Sequence, residues 1–476
     1  MNWRATVAAG LVFFALLAFV WVETRQRVAG EGEVFRQSLF GLNLYGIDAD
    51  RVTNLRIERK GEDAIVLEKR DDRWFIIEPI SGMANSEEVN TMVRAIAELA
   101  PKTARENVDL TREEFGLQDP DLVAEITHNG RTATVTMGEE TPAGAERYVR
   151  VSDDDNLYVV GAMLRTTLWK DPETLRERRL VQIEPDDVQR ITLEHGDERI
   201  VAVRRADSTP AVWTLAAPLQ TGADEWKLQQ MVTSINELRA EAFLGDDEVE
   251  PDALGFDDPQ VTATLDLAGG ESITILFGNS AVREIGEPAD EMEIVYTRTS
   301  ERDEVLLLRT AALETVQQTT FDLRDKSVVS FDRNNVTRIR VERADGFSFI
   351  VGSRPDGWQV ESPQSIPARQ GAVDDILWNL EDLTAIEFVV EDADSARLRE
   401  YGLAVPQIAI SVDMTGRSQP IKVLIGRQTA EGDYYAMTSE SDQVVRISEF
   451  IVSDLPESID DLRQTDNDSA GWDEMD

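Results

Sequence analysis

Few residues in this chain could do chemistry. Cys is absent, which removes disulfides, thiolate zinc sites, iron–sulfur clusters and cysteine nucleophiles together. Two His are present, His128 in His-Asn-Gly and His195 in His-Gly-Asp. Both fall at predicted hairpin tips, in different parts of the chain, and read as solvated turn residues. A Ser/His/Asp triad would need one of them, and no Gly-x-Ser-x-Gly elbow accompanies either. No Gly-Lys-[Ser/Thr] phosphate loop and no Gly-x-Gly-x-x-Gly after a strand is encoded, so nucleotide hydrolysis is not expected. Carboxylate pairs are too abundant for any one to mark a glycosidase, which needs one acid in an apolar pocket and a second at a fixed distance. No catalytic, cofactor-binding or metal-ligating residue is assigned, and the expectation is a protein that is not an enzyme.

Two acidic clusters raise a calcium question. Asp246 to Asp258 holds seven carboxylates in thirteen residues, and Asp153-Asp154-Asp155-Asn156 sits at a predicted hairpin tip. Hard cations prefer clustered oxygens, but the EF-hand spacing is missing. Both clusters read as solvated acidic loops, with a weak cation site as the alternative.

Composition narrows the partners. There are 91 Asp+Glu against 48 Lys+Arg, a net charge of −43 over 476 residues. A phosphate backbone would be repelled, so nucleic acid is not an expected partner. Seven Lys leave Arg to supply nearly all the positive charge. At 42% hydrophobic the chain fills ordinary cores, and its length suits about three domains of roughly 150 residues.

Residues 5–22, ATVAAGLVFFALLAFVWV, carry no charge. Such a run is just long enough to span the hydrocarbon core as a helix, and Trp3 and Trp21 fall where an interfacial belt would place them. The competing reading is a signal peptide cleaved near Val28-Ala29-Gly30. The expectation is an uncleaved anchor in the bacterial cytoplasmic (inner) membrane, with the bulk of the chain extracytoplasmic, or periplasmic. Lys and Arg counted alone would keep the large part inside, but long domains translocate largely regardless of charge.

The elements behind these residues come in three copies. A Trp is followed five positions later by Pro at Trp74 and Pro79, Trp213 and Pro218, and Trp358 and Pro363. A Gly-[Leu/Phe]-x-x-Pro turn follows each: Gly116 to Pro120, Gly255 to Pro259, Gly402 to Pro406. Between them, one apolar stripe at 3-and-4 spacing predicts a buried helix face. It consists of Val89, Met92, Val93, Ile96 and Leu99; then Leu228, Met231, Val232, Ile235 and Leu238; then Val373, Ile376, Leu377, Leu380 and Leu383. Asn85 with Glu88 forms a predicted capping box.

Strand patterns flank that helix. Val52-x-x-Leu55-x-Ile57, Val188-x-x-Ile191-x-Leu193 and Val336-x-x-Ile339-x-Val341 match position for position. Downstream hairpins turn at Asn129-Gly130, Gly269-Gly270 and Thr415-Gly416. Their second strands are expected to end at Gly138, Gly278 and Gly426. A further strand pair carries Tyr148, Tyr296 and Tyr435. Each copy closes on a short helix ending in Leu-Arg, at Leu175-Arg176, Leu323-Arg324 and Leu462-Arg463. The three Trp are expected to pack between helix and sheet.

The predicted fold is α+β: three tandem repeats of about 140 residues, each mostly antiparallel β with one long packed helix and a short closing helix, after one N-terminal transmembrane helix. The boundaries are 1–46 for anchor and linker, 47–182, 183–329 and 330–466 for the repeats, and 467–476 for an acidic tail. That tail carries one Trp, Trp472, and reads as a disordered end.

Phe115-Gly116-Leu117-Gln118-Asp119-Pro120, Tyr401-Gly402-Leu403 and Leu323-Arg324-Asp325-Lys326, with the Trp-to-Pro strand end, resemble a bacterial family named only as domain of unknown function 4340. Leu254-Gly255-Phe256 departs slightly from the pattern. The resemblance covers roughly residues 47–466, and its motifs are fold signatures without chemistry. It implies a single-pass envelope protein found alongside ABC-type transport components similar to those of gliding-motility systems. The functional expectation is a non-catalytic accessory or scaffold protein whose partners are membrane-embedded transport subunits. The alternatives are an extracytoplasmic binder of glycan, peptide or lipid, and a divergent hydrolase.

Overall fold

The computed structural model describes residues 48–205, 212–245, 250–286 and 289–464. The expected anchor at 5–22 and the acidic tail lie outside them. Among the described residues no helix is long and apolar enough to cross a membrane.

The first repeat runs β1 (Val52–Arg59), β2 (Ile65–Arg70), β3 (Arg73–Glu78), β4 (Gly82–Met83), α1 (Ser86–Ala97), β5 (Thr103–Arg105), β6 (Leu122–His128), β7 (Arg131–Glu140), β8 (Glu146–Val151) and β9 (Leu157–Gly161). The second runs β10 (Val188–His195), β11 (Glu198–Arg205), β12 (Val212–Ala217), β13 (Thr221–Gly222), α2 (Glu225–Glu237), β14 (Ala242–Phe243), β15 (Val261–Leu267), β16 (Ser272–Ile285), β17 (Asp290–Thr299) and β18 (Arg302–Arg309). The third runs β19 (Val336–Arg343), β20 (Ser348–Arg354), β21 (Gly357–Ser362), β22 (Ile366–Pro367), α3 (Gln370–Glu381), β23 (Glu387–Val390), β24 (Ile408–Met414), β25 (Ile421–Gln428), β26 (Tyr434–Thr438) and β27 (Val444–Ile447). Each repeat builds one nine-stranded antiparallel sheet. In the first its order is β4-β3-β2-β1-β6-β7-β8-β9-β5, and the other two follow the same order.

The copies share their irregularities, except that the expected closing helix is a 3-10 turn (Pro172–Leu175) in the first, a helix (Thr320–Leu323) in the second and only a turn before Arg463 in the third. The first strand bulges between Val52 and Asn54, between Val188 and Arg190, and between Val336 and Arg338. The prolines after the three Trp all follow cis peptide bonds. Two short strands per repeat are not marked by the sequence pattern. One precedes the long helix, and the other (β5, β14, β23) becomes the far edge of the sheet.

The helical stripe is buried as its spacing predicts, with one exception. Val89, Met92, Val93 and Ile96, then Leu228, Met231, Val232 and Ile235, then Val373, Ile376, Leu377 and Leu380 are all buried. The fifth position lies beyond each helix. Leu99 and Leu383 are still buried, whereas Leu238 is only half-buried. Asn85 caps α1 by accepting the Glu88 N–H at 3.1 Å. The reciprocal half of the box does not form, because the Asn85 N–H donates to the Leu175 carbonyl and Glu88 pairs with Lys170.

The Gly-[Leu/Phe] motif has a steric cause. Gly116, Gly255 and Gly402 adopt φ of +64°, +77° and +75°, a region glycine enters without penalty. A glycine on the second strand of each hairpin faces that turn. A Cβ on Gly138, Gly278 or Gly426 would fall onto the carbonyl oxygen of Phe115, Leu254 or Tyr401. These glycines do not end their strands, contrary to the sequence expectation: β7, β16 and β25 run on to Glu140, Ile285 and Gln428. In β7 and β25 the register shifts across the glycine, between Met137 and Glu140 and between Ile425 and Gln428, a bulge that lets the backbone approach the turn.

By packing, the chain divides into two compact units, and the division passes through the second repeat. Of the described residues, one holds those of 48–182 with those of 236–258 and 277–310. The other holds the described residues of 183–235, 259–276 and 311–464.

Candidate functional site

The residues that could do chemistry each make their own local contacts. His128 closes β6 beside the Asn129-Gly130 turn and contacts the Asn129 side chain at 3.1 Å. His195 is not merely solvated: its Nε2 lies 2.8 Å from the Gln318 carbonyl oxygen. Asp154 spends its carboxylate on its own turn, accepting the Asn156 N–H at 2.8 Å and the Tyr158 hydroxyl at 2.6 Å. The acidic run at 246–258 lies partly outside the described residues, and Glu250, Asp252, Asp257 and Asp258 are exposed. Among the described residues no three His, Asp or Glu side chains gather as a metal would require.

The concentrated polar chemistry sits where one repeat meets the next. The closing segment of each repeat lies across its own sheet end in one fixed way. The N–H groups of Asn85, Asp224 and Arg369 donate to the carbonyls of Leu175, Leu323 and Leu462, at 2.7, 2.9 and 2.8 Å. This presents Arg176, Arg324 and Arg463 identically, each bridged to Ala84, Ala223 or Ala368.

At the first junction, Arg176 stacks on Phe243 of β14, 3.7 Å from the ring centroid. Its guanidinium also donates to Glu304 of β18 at 2.6 Å. Glu304 accepts a second bond, from the Met83 N–H at 2.9 Å. Backbone pairing continues the contact, because the Leu180 N–H donates to the Leu238 carbonyl and the Ala240 N–H to the Arg178 carbonyl. The Leu238 carbonyl is thus turned toward the neighbouring repeat, as that of Leu383 is at the second junction. Arg302 reaches back to the carbonyls of Glu177 and Arg179. Burial pushes its guanidinium below the ordinary arginine value, with Glu304 and Glu177 opposing that shift. Arg73 pairs with Glu301 at 2.6 Å.

The second junction repeats the design. Arg324, 3% exposed, lies 3.4 Å from the centroid of Phe388 on β23. It grips Glu391 with both terminal nitrogens, the second at 2.8 Å. The Val328 N–H donates to the Leu383 carbonyl, and the Ala385 N–H to the Lys326 carbonyl. Phe243 and Phe388 stand thirty positions after Trp213 and Trp358. The carboxylates do not correspond, one standing on β18 and the other just after β23. The geometry combines a cation on an aromatic face, a charge-assisted pair and a strand-edge hydrogen-bond pair. It is an interlock between modules.

The third repeat differs. Trp74 and Trp213 are buried, but Trp358 is half-buried and lines a cavity of about 420 Å³ with Pro367, Arg369, Gln370 and Gln464. Arg463 beside it pairs with Asp460 at 3.3 Å and keeps 45% of its side chain exposed.

A family model described as "Domain of unknown function (DUF4340)" matches residues 74–259, 213–357 and 358–467, each match beginning at one of the three repeat tryptophans. No curated protein matches the chain. Among solved structures it is similar to a DnaN sliding clamp (DNA polymerase III subunit beta) from Pseudomonas aeruginosa bound to griselimycin, at 9% identity over 84% of this chain and 92% of that one, with a TM-score of 0.12. It is also similar to DNA polymerase III subunit beta from Borrelia burgdorferi in complex with a natural product, at 6% identity over 88% and 95%, with a TM-score of 0.15. At those TM-scores the likeness carries no argument.

Proposed function

The chain belongs to the DUF4340 family, and from that premise we propose that it works as a non-catalytic accessory or scaffold protein of a membrane transport assembly, anchored through residues 5–22. The observation that supports this reading is where the buried charge goes. Arg176, Arg302 and Arg324 face neighbouring repeats and join modules, where an enzyme would aim such groups at a substrate. Repetition multiplies contact surface, and tethered modules raise the effective concentration of weak contacts. The membrane-transport setting comes from the family resemblance and the apolar run.

The test is affinity recovery from crosslinked membranes with a C-terminal tag. Membrane-embedded transport subunits should be recovered, in amounts that fall in stages as repeats are removed. His128→Ala with His195→Ala should leave recovery unchanged. Loss of function in that double variant, with folding preserved, would point to hidden chemistry and sink the scaffold reading. Release of the full-length chain by carbonate would refute the anchor.

One observation favours a second reading, ligand binding: the third-repeat cavity beside Trp358. A tightly bound small molecule seen by native mass spectrometry, with no membrane protein recovered, would favour it over the scaffold.

A further inference from the structure

We propose that the third repeat keeps a junction socket for a partner in trans, namely the sheet edge of a repeat of this kind on a different chain. That edge would present an aromatic ring and a carboxylate. The proposal deepens the scaffold reading and rests on it for the partner's existence.

The socket is continuous with an interface already described. Arg463 is held as Arg176 and Arg324 are, by the Arg369 N–H to Leu462 carbonyl bond and the bridge to Ala368. The Gln464 N–H donates to the Pro367 carbonyl at 3.3 Å, as the Glu177 and Asp325 N–H groups donate to Met83 and Gly222 at 2.8 and 3.0 Å. In the first repeat, Arg73 and Met83 meet Glu301 and Glu304 of the following repeat. Their third-repeat counterparts, Gly357 and Pro367, line the cavity. Pro367 has no N–H to offer a carboxylate, but Arg369 stands where Asn85 and Asp224 stand in the other copies and adds a second cation beside Arg463. Asp356 also lines the cavity, and Arg463 holds Asp460 as Arg176 holds Glu173, so an acidic edge is favoured by the guanidinium donors left over, as Glu304 is at Arg176, and not by net charge.

A second copy of this chain does not supply that edge. The receiving position thirty residues after the Trp is Phe243 and Phe388 in the later repeats but Ala104 in the first. The backbone donors Ala240 and Ala385 correspond to Pro101, which lacks the N–H. By strand register, Leu306 faces Phe243 and Tyr158 faces Ala104. This sets Asn156 where the second repeat has Glu304. The edge of the first repeat thus lacks the groups that receive another module, while the third presents its arginine.

The experiment restores the missing acceptor on the full chain with Pro101→Ala, Ala104→Phe and Asn156→Glu, and reads self-association by sedimentation. Each molecule's third repeat then finds an acceptor on the next. The variant should form concentration-dependent oligomers at ~50 μM while the unmodified chain stays monomeric, and Arg463→Ala in the same background should weaken association about tenfold or more. The single Ala104→Phe variant, at an exposed edge position, keeps the test alive should the triple variant fail to fold. A folded variant that stays monomeric overturns the proposal. So does association that Arg463→Ala leaves unchanged. Self-association of the unmodified chain through Arg463 would make a second copy the occupant, and association that appears only after deleting 466–476 would make it the chain's own tail. Either also overturns the proposal. The assay reads only the competence of the socket, so failure to recover transport subunits from membranes leaves its result standing.

Discussion

The guanidinium carbon of Arg324 sits 3.4 Å from the ring centroid of Phe388, while the same side chain grips Glu391. Because Arg324 is buried, removing it takes both guanidinium bonds from Glu391, which among the described residues keeps only the Gln443 amide at 3.1 Å, and uncovers the ring. Arg324→Ala should cost about 2–4 kcal/mol, toward the low side of the range for breaking a buried pair, since Glu391 is half-exposed. Arg324→Lys should recover little of this, because an ammonium cannot stack flat and grip both oxygens at once. Hydrogen exchange at the Ala385 amide, bonded to the Lys326 carbonyl, is the local readout. Unchanged protection in Arg324→Ala would show that the junction does not depend on the cation.

Gly138 faces the Phe115 carbonyl with no room for a Cβ. The obstacle is backbone, which cannot rotate away as a side chain could. Gly138→Ala should therefore destabilise by about 1–3 kcal/mol, the usual cost of overpacking, and Gly278→Ala and Gly426→Ala should behave alike. By contrast, Gly130 has open space around it and its cost is conformational, since φ is +74°. Urea denaturation compares the four. Equal, negligible effects at the three facing glycines would refute the close approach.

Much of this fold is legible from the chain alone, because burial imposes a period. The helical stripe and the three β1-type strands follow from spacing, and in both the repeat shows as equal offsets. The junctions are not legible in the same way. Leu175-Arg176 and Leu323-Arg324 stand out as closing motifs, but nothing in their spacing says that Arg176 meets Phe243 or Arg324 meets Phe388, residues brought near by sheet order. The carboxylates come from unlike positions, Glu304 and Glu391, so no shared offset marks them. One signal was available: an aromatic thirty residues after two of the Trp, replaced by Ala104 after the first. His195 shows the reverse failure, where a turn-like sequence hid a contact with Gln318.

Leu380 and Leu238 occupy neighbouring places in the stripe but different surroundings. Leu380 is fully buried, so Leu380→Ala should cost about 2–5 kcal/mol. Leu238 is half-buried and contributes its carbonyl to Leu180, a bond that Ala keeps. Leu238→Ala should cost markedly less, about 1 kcal/mol. Denaturation midpoints measured in parallel check the ranking. A larger loss at Leu238 would mean that its side chain packs more deeply than its exposure indicates.

Asp394 accepts the Arg397 and Ala396 N–H groups at 2.8 and 2.9 Å and caps the helix Ser395–Glu400 that leads into Tyr401-Gly402-Leu403. The Arg397 amide bond is the first reason its carboxyl is held below the ordinary value, with the Ala396 amide and the Arg397 and Arg399 charges adding to it. A depressed folded value means the carboxylate stabilises the folded state above the unfolded pKa of about 3.9. That contribution is lost as pH falls through the folded value. Asp394→Asn keeps a capping oxygen and removes the titration. The stability difference between the two proteins should be constant above about pH 5 and should shift in favour of the Asn variant at lower pH. Calorimetry or urea titration at stepped pH reads this difference, in which the acid response of the other carboxylates cancels. A difference that stays flat to the lowest pH at which both proteins fold would show that the cap does not depend on the charge of Asp394.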